Sequence, residues 1–90
     1  MVIKFFATFR KLTRENETVI SEAVDLRQLL EILCNRYGPD FQEKIFLPGG
    51  GLHQDVIVLI NGRAIEHLQG LSTPLKPSDV ISIFPRIAGG

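Results

Sequence analysis

The sequence predicts an α+β fold: a mixed sheet with one main helix packed on one face. Three observations lead there. Residues 2–9 and 80–84 are short apolar runs that alternate like strands. Residues 26–37 carry apolar side chains at helical spacing. The chain has 90 residues, which is enough for a single hydrophobic core and one domain.

The first strand is expected over Val2 to Phe9. Ile3, Phe5, Ala7 and Phe9 form its buried face, and Val2, Lys4, Phe6 and Thr8 form a mixed face. The polar stretch Arg10 to Asn16 reads as a turn, and Glu17 to Ser21 as a second strand that closes a hairpin. Asp25 is placed to cap a helix, with Gln28 completing a capping box and Val24 and Leu29 forming a hydrophobic staple. Leu26, Leu29, Leu30, Leu33, Cys34 and Tyr37 then share one helix face, while Glu31, Asn35 and Arg36 point to water. Gly38 and Pro39 end this helix.

A short helical turn is expected through Phe41 and Ile45, followed by a Pro48–Gly51 loop. Val56 to Ile60 is a continuous aliphatic run, read as a strand with little exposure. Asn61-Gly62 is a strong turn dipeptide, and Arg63 to Ile65 a short return strand. Residues 68–75 are irregular, broken by Gly70 and Pro74. Pro77-Ser78-Asp79 turns into the last strand, Val80 to Phe84, and Pro85 ends regular pairing. A hairpin, a helix and a return beside the first strand make the β-grasp arrangement, the ubiquitin-like roll. Residues 1–85 form this domain, and residues 86–90 a flexible C-terminal tail.

Composition narrows the function classes. Lys plus Arg and Asp plus Glu balance at ten each, which argues against general nucleic-acid binding, since that requires excess positive charge. A single cysteine forms no internal disulfide, which suits a reducing compartment. The Met1-Val2-Ile3-Lys4 start lacks a signal-peptide layout, and no apolar run approaches the ~20 residues that span a membrane. The expectation is a cytoplasmic protein that engages neither nucleic acid nor membrane.

Conventional catalytic groups are poorly supplied. The serines lack a nucleophile-elbow context. His53 and His67 stand in loops without metal-ligand spacing and read as solvated. Cys34, on the apolar helix face, reads as a buried structural thiol rather than a reactive one. Gly49-Gly50-Gly51 lacks the Lys-Ser/Thr of a phosphate loop. No self-contained active site, no metal site and no bound cofactor are expected.

Two features remain. The sequence given ends in Gly89-Gly90, directly after a strand-like run. Two residues without side chains can enter a narrow slot in another protein, although a simple loose terminus is the plainer explanation. The second feature is the parity of the last strand. If Ile81 and Ile83 face the helix, Phe84 lies on the outer face beside Phe6, and the pair forms an apolar docking patch unless a loop or the tail covers it.

Taken together, these residues resemble a known family. Phe5-Phe6-Ala7-Thr8-Phe9-Arg10-Lys11-Leu12-Thr13, Ile60-Asn61-Gly62, the run from Thr73 to Pro85 and Ala88-Gly89-Gly90 are similar to the small sulfur-carrier proteins of the molybdopterin-synthase small-subunit type, related to the thiamin-pathway carrier. Arg86 stands where the synthase subunits often carry a second proline. The segment Glu66 to Leu71 looks like the archaeal and cysteine-pathway branches.

The resemblance implies a mechanism. A ubiquitin-activating-type adenylyltransferase uses ATP to adenylate Gly90, and a sulfur donor displaces AMP to leave a thiocarboxylate. The tail Ile87, Ala88, Gly89 and Gly90 then enters the molybdopterin synthase large subunit, while Phe6 and Phe84 anchor the body. Residues 86–90 would span roughly 15 Å at the extended rise per residue. The protein alone is non-catalytic on this reading. The alternatives are a ubiquitin-like modifier joined to lysines through Gly90, a carrier for cysteine or thiamin biosynthesis, and a purely structural interaction domain.

Overall fold

Strands from the two ends of the sequence meet in the middle of the sheet. In the computed structural model, which describes residues 1–86, β1 (Val2–Phe5) pairs in parallel with β5 (Val80–Pro85). β2 (Glu17–Val19) flanks β1, and β3 (Val56–Ile60) flanks β5, both antiparallel. β4 (Arg63–Ala64) adds antiparallel to β3, giving the order β2-β1-β5-β3-β4 in a five-stranded mixed sheet. α1 (Thr8–Thr13), α2 (Leu26–Tyr37) and α3 (Pro39–Ile45) complete the fold.

The core lies on one side of this sheet. Ile3, Phe5, Val58, Ile81 and Ile83 form a single buried cluster with Leu26, Leu29, Leu30 and Leu33 of α2 and Phe41 and Ile45 of α3. The ring of Phe41 meets Phe5 and Phe9 edge-on, with centroids 6.1 and 5.9 Å away. Such T-shaped contacts favour the ring quadrupoles as well as burying area.

Helix α2 forms as its sequence predicts. The Asp25 carboxylate accepts from the Gln28 amide at 2.9 Å and caps the first turn. At the far end Gly38 takes φ 94°, and its amide donates to the Cys34 carbonyl at 2.9 Å. Pro39 then opens α3 at its first turn, where a missing amide hydrogen does no harm.

Several expectations need correction. The first strand stops at Phe5; Ala7 turns the chain with φ 52° and is exposed, and α1 occupies the region read as a turn. Phe9 still reaches the core, from a helix rather than a strand. Phe5 and Phe9 are four apart, a spacing that serves either period, so a short apolar run does not distinguish them. The staple is absent, because Val24 is 71% exposed. The Val24 carbonyl accepts from Leu75 and the Thr73 carbonyl from Leu26, and this pairing leaves the Val24 side chain outside. The Gln28 side chain accepts from the Val24 amide at 2.7 Å, one residue before the position a capping box would use.

β3 is not buried on both faces. Val56, Val58 and Ile60 are buried, whereas Ile57 and Leu59 are only half-buried. The return strand β4 is two residues long, and Ile65 instead starts a 3-10 turn, Ile65–His67. Asn61 and Gly62 both adopt positive φ, 52° and 82°, as a type I′ hairpin turn requires.

β5 also continues one residue further than expected. Pro85 pairs with Val56, and the Arg86 amide donates to the Asp55 carbonyl at 2.7 Å. Hydrogen-bonded and non-bonded pairs alternate in an antiparallel ladder, so Val56–Pro85 falls on a non-bonded pair where the missing proline donor is tolerated.

Candidate functional site

With the core on one side, no main helix among the described residues covers the other side of the sheet. Its residues are set by register. Phe84 lies opposite Ile57, Ser82 opposite Leu59, and Leu59 opposite Ala64. On the other flank Val2 pairs with both Val80 and Val19. Directly paired residues share a face, so these side chains line one surface.

Phe6 and Phe84 are brought together at one end of it, where β1 stops and β5 nears its last residue. Their rings stack with centroids 4.3 Å apart and planes 8° from parallel. Both are half-buried, and the Arg10 guanidinium lies 5.9 Å from the Phe6 centroid. The expected aromatic pair is therefore present, and Ile57 and Leu59 extend it, while Val2, Val80 and the 62%-exposed Val19 lie at the other end of the strands, beyond Lys4 and Ser82. Sequence reasoning missed these aliphatic members. The available signal was the strict parity of residues 56–60 together with one main helix, which covers one face only.

β5 leads from this surface to the tail. Arg86 follows the strand and is held twice: its amide donates to the Asp55 carbonyl at 2.7 Å and its Nε to the Gln54 carbonyl at 3.0 Å. The accepting loop is itself braced, because the His53 amide donates to Ile45 and the Asp55 amide to His53 Nδ1. A cleft of about 260 Å³ opens beside it, lined in part by Thr8, Lys44 and His53. Ile87, Ala88, Gly89 and Gly90, the predicted working tail, lie outside the described residues.

Other candidate groups have structural surroundings. Cys34 is 6% exposed, and burial, reinforced by the nearby Glu31 carboxylate, pushes its thiol up to about 11. It is a thiol at neutral pH. Burial and a hydrogen bond to Glu15 also raise the Tyr37 phenol. His67 is exposed. Among the described residues no group of three or more His, Cys, Asp or Glu side chains could hold a metal ion, and no helix is long and apolar enough to cross a membrane.

The strand order, the parallel β1–β5 pair and α2 across one face define a β-grasp protein of the ubiquitin-like class. The chain belongs to the ThiS family of ubiquitin-like small sulfur carriers, whose sequence profile matches residues 3–90. It is 32% identical over 90 residues to small archaeal modifier protein 3 of Haloferax volcanii, covering 98% of this chain and 96% of that one. The solution structure of small archaeal modifier protein 1 from Methanosarcina acetivorans superposes with a TM-score of 0.86 at 33% identity, covering 99% of this chain and 94% of that one. A Pyrococcus furiosus protein proposed to be molybdopterin converting factor subunit 1 gives a TM-score of 0.72 at 30% identity, covering 96% and 95% of the two chains.

Proposed function

We propose that this protein carries sulfur on its C-terminal glycine, for molybdopterin biosynthesis. The observation that supports it most is the family match, which runs through the Ala88-Gly89-Gly90 motif to residue 90. The 30%-identical relative from Pyrococcus furiosus adds the molybdopterin direction.

The chemistry follows from the carboxylate. Its negative charge repels nucleophiles, and oxide is a poor leaving group. An adenylyltransferase of the ubiquitin-activating type would join Gly90 to AMP from ATP and release pyrophosphate. Sulfide, delivered by a donor, would then attack the acyl carbon and expel AMP, leaving a thiocarboxylate. Sulfur is the softer and better nucleophile for the next transfer, in the active site of a synthase large subunit. Phe6 and Phe84 would dock the body on these partners through the open sheet face, where stacked aromatics supply rigid apolar area. Gly89 would let an enzyme close around the backbone. ATP would serve as a substrate of the activating enzyme rather than as a cofactor of this protein, and a reducing cytoplasm would suit both the lone cysteine and the thiocarboxylate.

A second reading has its own support. Two relatives at 32% and 33% identity are named as modifier proteins. On that reading the same adenylate passes Gly90 to a lysine amine of a target, forming an isopeptide.

One experiment separates them. The full chain, its activating enzyme, ATP and a sulfide source should give a mass gain equal to exchange of one oxygen for sulfur, and deletion of Gly90 should abolish it. A gain that survives the deletion would overturn the carrier reading. Gly90–lysine isopeptides in cells, with no thiocarboxylate, would favour the modifier.

A further inference from the structure

Arg86 is exposed, yet it is tied by two hydrogen bonds at the root of the tail. Its amide and its Nε bond carbonyls of two consecutive residues, Asp55 at 2.7 Å and Gln54 at 3.0 Å. One bond would fix its position. Two, from backbone and side chain to adjacent acceptors, fix its orientation as well.

The acceptor loop is not free to follow. The His53 amide is bonded to the Ile45 carbonyl at the end of α3, at 2.7 Å. The His53 ring accepts from the Asp55 amide at 3.0 Å, and the chain enters β3 at Val56. Arg86 is thereby coupled to two elements whose side chains, Ile45 and Val56, are buried in the core.

We propose that Arg86 is a positioning residue: clamped to the Gln54–Asp55 carbonyls, it sets the direction in which the working tail leaves the domain. This rests on the carrier reading above. Residues 87–90 would span roughly 13 Å at the extended rise per residue. Release of Arg86 would lengthen that reach and remove its direction, so a partner enzyme would have to order more chain on binding. Preorganised segments bind better because less ordering is left for the encounter.

The competing explanation is that Arg86 touches the partner directly. The test therefore compares Arg86→Ala with His53→Ala, which loosens the acceptor loop and leaves Arg86 intact. Full-length ¹⁵N-labelled protein gives heteronuclear NOE values at Ile87 and Ala88, and ATP–pyrophosphate exchange by the activating enzyme gives KM and kcat. Arg86→Ala should lower the NOE at Ile87 and raise KM for this protein about 3- to 10-fold, the effect of one lost hydrogen bond, with kcat unchanged. His53→Ala should change both readouts in the same direction, and the double variant should fall short of the sum of the two single effects, because both act through the same Gln54–Asp55 loop. An unchanged NOE or KM in Arg86→Ala overturns the proposal. So does a KM rise in Arg86→Ala with none in His53→Ala, since Arg86 would then act by contact with the enzyme. Wild-type protein that supports no exchange sinks the carrier reading and the role built on it, while the NOE comparison still reports separately on the clamp.

Discussion

Phe6 and Phe84 stack face to face at 4.3 Å, one from just past the first strand and one from the last. The stack exists because β1 and β5 run in parallel with Phe5 opposite Ile83, so the next residues along each strand meet on the open face. Its two rings are half-buried, which leaves apolar area available to a partner. Phe6→Ala and Phe84→Ala should each weaken binding to the activating enzyme by about tenfold or more, as hot-spot aromatics do. A double-mutant cycle on unfolding of the free protein should give a coupling of about 0.5–1.5 kcal/mol for the stack itself. Calorimetric titration and urea unfolding measure the two quantities. Unchanged binding in both variants would remove the sheet face as the docking surface.

The turn before β5 depends on a buried carboxylate. Asp79 is 8% exposed; it accepts from the Asn61 side-chain amide at 2.9 Å and from the Lys76 backbone amide at 2.8 Å. Asn61 in turn accepts from the Val80 amide at 2.9 Å, tying the β3–β4 turn to the start of β5. Asp79→Ala leaves these donors unmatched and should destabilise the fold by about 2–3 kcal/mol. Urea unfolding should show a lower midpoint with an unchanged slope.

Removal of the Asp25 cap is a smaller change. Asp25→Ala should destabilise by about 1 kcal/mol, while Asp25→Ser should recover most of it, because serine can accept from the Gln28 amide. Thermal unfolding of the three proteins tests the order. Equal midpoints would mean that the cap contributes nothing.

Cys34 should make stability fall at alkaline pH. Its folded pKa is raised from 9.0 to about 11, so between these values the unfolded thiol ionises and the folded one does not. The native state then binds more protons, and stability drops as pH rises through this window. The loss attributable to the thiol approaches about 2 kcal/mol by pH 11. Tyr37, raised from 10.0, adds a contribution of the same sign at higher pH. Cys34→Ala should flatten the slope that begins near pH 9, as read from urea midpoints across the range. An identical slope in the variant would contradict this assignment.

Local pattern made much of the architecture legible. The leucines of α2 recur at helical spacing, and all four, Leu26, Leu29, Leu30 and Leu33, are fully buried. Asp25 and Gly38 mark the helix ends through short-range hydrogen bonds. Asn61-Gly62 takes the positive φ values that its composition favours. Phe6 and Phe84 were legible as a pair by parity. Less legible were α1, where Phe5 and Phe9 suit either period, and Val24, whose exposure comes from backbone pairing with the segment around Leu75.

Periodicity within a few turns of chain needs only neighbouring residues, so helix, hairpin turn and strand parity are written in the residue order. Tertiary structure alone decided which side of β3 meets water, how far Ile57 and Leu59 widen the aromatic patch, and that Arg86 is held by the distant Gln54–Asp55 loop. Those outcomes depend on contacts between distant segments. The energy of such contacts exists only once the chain has closed on itself, and no local window of sequence contains both partners.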